Sequence, residues 1–158
     1  HGDGVYYSFD SDPFTFIVDV HEHGHYLYPG SGMENETGVD GAEGTKQNHC
    51  LMPFAQDEQF WRVWKEGLAF LERCRPEFIL LQAGADSIAG DPLTHLKLTP
   101  RVHTRVALEL RELADKVCDG RILCMGGGGY NRVNIAAAWC GVTESLCGLP
   151  HPGSRDES

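Results

Sequence analysis

Apolar residues concentrate in three short runs, and longer stretches with near-helical spacing lie between them. Phe14-Thr15-Phe16-Ile17-Val18-Asp19-Val20, Phe78-Ile79-Leu80-Leu81-Gln82 and Arg121-Ile122-Leu123-Cys124-Met125 have the length and β-branching of strands buried on both faces. Phe60, Trp64, Leu68 and Leu71 predict one helix from Asp57, as its cap, to about Arg73, with Pro76 stopping it. Val102, Val106, Leu110, Leu113 and Val117 predict a second, started by a Thr99 hydroxyl cap and Pro100 and ended by Gly120. A last helix runs roughly from Arg132 to Leu146. Between the first strand and the first helix, residues 29–48 carry five glycines among polar residues and read as a long loop.

Strand, loop, helix, strand, helix, strand, helix is the alternation of an α/β fold with a parallel sheet flanked by helices. In such sheets ligands bind beyond the carboxyl ends of the strands. Those ends carry His21-Glu22-His23-Gly24-His25, Gly84-Ala85-Asp86 and Gly126-Gly127-Gly128-Gly129-Tyr130, so these segments are expected to converge. The organised domain is expected over residues 1–148, with a frayed Pro- and Gly-rich tail over 149–158.

Composition narrows the function classes. The chain has 158 residues and 41% hydrophobic content, which suits one globular domain. A net charge of -10 disfavours nucleic acid as a direct partner, because phosphate backbones are repelled. No apolar run is long enough to span a membrane, and the opening residues give no expectation of a leader. Six cysteines without Cys-x-x-Cys spacing suggest neither a zinc ribbon nor a disulfide framework, and fit a reducing cytoplasm.

The glycine run is not a dinucleotide fingerprint, since Asn131 or Arg132 stands where the third glycine would fall. No Lys-Ser/Thr follows it, so it is not a phosphate loop either. Four glycines instead permit unusual backbone angles and close approach of a ligand, with the Tyr130 phenol presented at their end. Asp86, at a strand's carboxyl end, is a candidate metal ligand; by itself such a residue is more often a turn or cap. His21, His23 and His25 alternate and would face one side of an extended chain as a lesser metal candidate. His49, His95, His103 and His151 read as surface or cap residues.

His1-Gly2-Asp3-Gly4-Val5, Tyr28-Pro29-Gly30-Ser31-Gly32, the run from Leu81 to Pro92, and Gly126 to Asn131 occur in that order. They look like successive signatures of the histone deacetylase superfamily, including its bacterial acetoin-utilisation branch. The resemblance implies the C-terminal part of an arginase/deacetylase-like parallel sheet with helices on both faces. It implies a zinc-dependent hydrolase that removes acetyl or other acyl groups from lysine side chains, with an acetylated protein or a small-molecule amide as partner. Asp86 matches one zinc ligand, and His1 matches a histidine next to another ligand, so the remaining ligands are expected upstream. Tyr130 matches the hydroxyl that donates to the oxyanion. Tyr28, Gly128 and Gly129 match the walls of the acyl-lysine channel. A structural K+ ion would sit at Asp19-Val20, where relatives carry a small hydroxyl residue. On this reading the chain is inactive without its upstream half. The alternatives are an acetylpolyamine or small-amide deacetylase, and an inert fragment that acts as a binding module. Arginase-like chemistry fares worse, because no Asp-x-His-x-Asp cluster occurs.

Overall fold

The computed structural model describes residues 1–149, so the expected tail and His151 lie, beyond Leu149, outside the described residues. The elements are α1 (Asp3–Ser8), β1 (Ile17–Glu22), β2 (Lys46–Leu51), α2 (Asp57–Cys74), β3 (Ile79–Gln82), α3 (Pro100–Val117), β4 (Ile122–Met125) and α4 (Arg132–Cys147). All strand pairing is parallel, β1 with β2 and β3 with β4, each pair flanked by helices. This is the α/β class that the alternation predicts. Two compact units result. One holds His1–Cys74 and Thr94–Lys97, and the other holds Arg75–Leu93 and the described residues from Leu98 to Leu149.

In the first unit β1 and β2 run in register from Ile17 opposite Lys46 to Glu22 opposite Leu51. β2 falls inside and just beyond the expected 29–48 loop, and α1 was not expected either. The reason is that the buried positions of β2 include Lys46 and Asn48, which break the apolar pattern. Each is satisfied by hydrogen bonds, mostly to residues distant in sequence. Lys46 Nζ donates to Asp12 O at 2.9 Å, Thr15 O at 2.7 Å and Thr45 Oγ1 at 2.6 Å, and Asn48 Nδ2 donates to Glu36 O at 2.8 Å.

Helix α2 packs on β1 through Phe60, Trp64, Gly67 and Phe70, a stripe rotated from the expected Leu68 and Leu71. Gly67 turns it: a Cβ there would fall 2.7 Å from Val18 Cγ1, so the helix can sit close to the strand. Phe70 then meets Phe16 edge to face, with centroids 6.2 Å apart. The helix begins at Asp57, so this residue stands in the first turn and not at the cap position expected for it. The Gln59 side chain accepts the Gln56 N–H at 3.0 Å, the returning half of a capping box.

In the second unit α3 buries Val102, Ala107, Leu110, Leu113 and Ala114, and α4 buries Ala138, Gly141, Val142 and Ser145. Gly141 brings the two helices together, since a Cβ there would strike Thr104. Thr99 stands at the N-cap of α3, but its hydroxyl makes no cap bond there. One face of the strand pair packs Leu81 and Cys124 against the cluster of Ala83, Ala107 and Val142. The other face leaves Leu80 64% and Leu123 51% exposed, so burial on both faces, expected from the apolar runs, holds on one side only.

Candidate functional site

The carboxyl ends of β3 and β4 lie side by side because the strands are parallel and in register, Gln82 opposite Met125. Each continues into a glycine turn, and the two turns are bonded back to back. Ala85 N donates to Gly128 O at 2.6 Å, and Trp139 Nε1 donates to Ala83 O at 2.7 Å. A Cβ on Gly127 would meet Gly84 Cα at 2.8 Å, so only glycine permits this approach.

The half-buried Asp86 side chain lies against Gly128. A Cβ on Gly128 would fall within contact distance of both carboxylate oxygens, so the missing side chain there makes room for Asp86. Gly129 has φ +138°, a backbone that side chains rarely tolerate, and Ala85 Cβ and Ile135 Cγ1 close the space around it. Tyr130 follows, 55% exposed, immediately before the α4 N-cap. Asn131 caps that helix by accepting Val133 N–H at 3.0 Å and Asn134 N–H at 3.3 Å, and its Nδ2 donates to Gly90 O at 3.1 Å. Asp86, Gly128, Gly129 and Tyr130 are thus brought together in one unit. Tyr28 belongs to the other unit and is 91% exposed.

Two groups at these turns carry no motif of their own. The ring of His103 on α3, expected as a surface or cap residue, reaches Gly84 O at 2.8 Å, and a carbonyl only accepts, so Nε2 carries the proton. Ser87 Oγ lies 3.4 Å from the same nitrogen. Asp91 is 9% exposed, and its carboxylate accepts the backbone N–H of Tyr130 at 2.9 Å and of Leu93 at 2.9 Å. Both residues act on backbone groups, which leaves no periodic trace in a sequence. The only signal was the position of Asp91 within the run that ends at Pro92.

The first unit holds a second polar cluster. His21, 4% exposed, places Nδ1 3.0 Å from Asp19 Oδ1, and its Nε2 donates to Gly32 O at 2.8 Å. Asp19 also accepts Gly2 N–H at 2.6 Å, so both of its oxygens are partnered at the position expected to matter for K+. Burial pushes the Asp19 carboxyl up, but the hydrogen bond and charge of His21 and the Gly2 amide outweigh it, and its pKa lies below the ordinary range. The ring of His1 lies tilted against that of His21, with centroids 4.0 Å apart, and its Nε2 meets Ser31 O at 2.6 Å.

Cys50 Sγ lies 3.9 Å from His21 Nε2, so cysteine, histidine and aspartate stand in series. They do not form a nucleophilic triad. His21 Nε2 already carries a proton for Gly32 O, and the thiol donates to the same carbonyl at 3.3 Å. Burial also pushes the Cys50 thiol up, with the Glu34 charge adding to it, which keeps the thiol protonated. The three alternating histidines do not converge. His23 Nδ1 accepts His25 N–H at 3.1 Å, and both of these rings pack on Tyr26. His95, expected as a surface or cap residue, is exposed and is held by a buried carboxylate: Glu22, 1% exposed, takes its ring Nδ1 at 2.7 Å and its backbone N–H at 2.7 Å.

Among the described residues no group of three His, Cys, Asp or Glu is placed to hold a metal ion. Catalytic zinc takes three protein ligands and an open position. Asp86 is the one ligand expected from the sequence, and with no such group beside it the described residues do not fit a zinc ion by themselves. The six cysteines are free, and no helix among the described residues is long and apolar enough to cross a membrane.

The turns just described can be set beside known proteins. A family model described as "Histone deacetylase domain" matches residues 1–146. The acetoin utilization protein AcuC of Staphylococcus xylosus is 34% identical over 160 residues, covering 99% of this chain and 42% of that protein. The chain therefore spans about two fifths of the length of that curated relative. The crystal structure of the HDA15 HD domain superposes with a TM-score of 0.84 at 28% identity, covering 94% of this chain and 42% of that one. An acetylpolyamine aminohydrolase from Burkholderia pseudomallei superposes with a TM-score of 0.82 at 20% identity, again over 94% and 42%, a likeness of fold.

Proposed function

The chain belongs to the histone deacetylase family, and from that premise we propose that its whole protein is a zinc-dependent hydrolase that removes acetyl groups from lysine side chains. The observation that carries this reading is the joint placement of Asp86 and Tyr130. One carboxylate and one exposed phenol are fixed by the same pair of glycine turns at the carboxyl ends of two parallel strands.

Zinc is the metal the family implies, and Asp86 is the ligand this chain supplies. The other ligands come from residues outside the sequence, since ligand counting leaves the described residues short. Tyr130 donates its phenolic proton in a hydrogen bond to the oxygen on which negative charge develops as the amide is attacked. A single such donor stabilises a transition state by about 3 kcal/mol. Gly128 and Gly129 keep the approach to Asp86 and Tyr130 free of side chains, which suits a narrow acyl-lysine chain. The acidic surface suits a cationic substrate, whether a lysine-rich peptide or a polyamine.

The test is turnover of an acetyl-lysine peptide and an acetylated diamine, side by side, by the intact protein and its Tyr130→Phe variant. The reading expects peptide turnover that falls by about a hundredfold in kcat when the phenol is lost, with KM little changed. Faster turnover of the diamine would move the substrate to polyamines. Equal rates in wild type and Tyr130→Phe would remove Tyr130 from the chemistry.

A further inference from the structure

We propose that Asp91 is the positioning residue for Tyr130: its buried carboxylate, tied to the Tyr130 backbone amide, sets the direction in which the phenol is presented. This rests on the reading of Tyr130 as the oxyanion donor.

The need for such a residue follows from the local sequence. Tyr130 ends a run of four glycines, and Gly129 adopts φ +138°, so no side chain within that run can orient it. The phenol is 55% exposed, so packing of the ring does not fix it fully either. Orientation has to come from the backbone, and the backbone is held on both sides. On one side Asn131 caps α4 and donates to Gly90 O. On the other, Asp91 Oδ2 accepts the Tyr130 N–H at 2.9 Å.

Asp91 is itself in a rigid frame. Its own N–H donates to Ile88 O at 3.1 Å, its Oδ1 accepts Leu93 N–H at 2.9 Å, and Gly90 at φ +90° makes the turn that aims it. The same loop begins at Asp86, so the carboxylate proposed for the metal and the anchor of the phenol are five positions apart on one short segment.

The choice of Asp over Asn has a chemical reason. Two backbone N–H groups point at this side chain, and a carboxylate offers an acceptor to each. An Asn has one acceptor oxygen, so its amide nitrogen would face one of the two N–H groups, donor against donor. Asp91→Asn therefore keeps the volume and loses one of the two bonds, while Asp91→Ala loses both.

The experiment uses the intact protein with 3-fluorotyrosine in place of its tyrosines. The Tyr130 fluorine resonance is assigned by its loss in Tyr130→Phe. Resonance, amide hydrogen exchange at residue 130, and kcat and KM on an acetyl-lysine peptide are then compared in wild type, Asp91→Asn and Asp91→Ala. In Asp91→Ala the Tyr130 resonance is expected to shift or broaden while the other tyrosine resonances stay, and amide 130 to exchange faster. A misplaced reacting group can cost a hundredfold, so kcat is expected to fall by about that factor at nearly constant KM, with Asp91→Asn between the two. An unmoved Tyr130 resonance with unchanged exchange overturns the proposal, and so does an equal shift of all the tyrosines, which marks general loosening. If the wild type does not turn over the peptide, the deacetylase reading fails, and the resonance and exchange data decide on Asp91 by themselves.

Discussion

Lys46 is a full ammonium group at 1% exposure, with three oxygen acceptors between 2.6 and 2.9 Å. Burial lowers its pKa, while the charges of Asp12 and Asp10 raise it, and the net direction is down. Its bonds to Asp12 O and Thr15 O tie the turn before β1 to the start of β2. Replacing it with Met keeps most of the volume and strands the acceptors, each at a cost of about 1–3 kcal/mol when left unpartnered in the interior. Lys46→Met is therefore expected to lower stability by about 3 kcal/mol in urea unfolding followed by circular dichroism. A loss below the error of that measurement would mean water replaces the ammonium at no cost. At this scale the sequence was legible where chemistry is written as a motif and opaque where a side chain serves the backbone. Asp86, Gly128, Gly129 and Tyr130 stood in specific runs, and the structure brings them together. Lys46, Asp91 and His103 act on main-chain groups, and no residue pattern announces such partners.

Helix α4 shows how one element holds the site. Its N-cap residue Asn131 satisfies two first-turn amides and also ties the turn to Gly90. Its buried face of Ala138, Gly141, Val142 and Ser145 is made of small groups and seats close against α3. Asn131→Ala is expected to destabilise by about 1–2 kcal/mol, as lost caps do. Asn131→Asp, which keeps the accepting oxygen, is expected to recover most of the cap and not the Gly90 bond. Chemical unfolding of the two variants beside wild type separates these contributions, and equal losses would contradict the assignment of Asn131 as cap. Among the elements, three strands and three helices were readable from apolar spacing. β2 was not, because its inward positions Lys46 and Asn48 are polar and are satisfied by distant oxygens. α1 was hidden because it has only six residues, too few for a periodic stripe. The face of α2 was misread because Gly67 at a close helix–strand contact carries no hydrophobic weight.

For the molecule as a whole, the alternation of strand and helix together with the ordered motifs was enough to name the fold class and family, and residues 1–146 carry both. Ligand arithmetic is the deeper constraint. A metal site draws residues from several strand ends, and among the described residues no three His, Cys, Asp or Glu side chains are grouped to hold one, His21 being engaged with Asp19 and His95 with Glu22. The central claim is that the chain bears one share of a deacetylase site, the part made of Asp86 and Tyr130. Equilibrium dialysis of the 158-residue chain against Zn2+, followed by an acetyl-lysine peptide assay on the dialysed protein, tests that claim most directly. The account predicts binding weaker than about 1 μM and no turnover. Stoichiometric tight zinc with peptide deacetylation by these residues alone would contradict it.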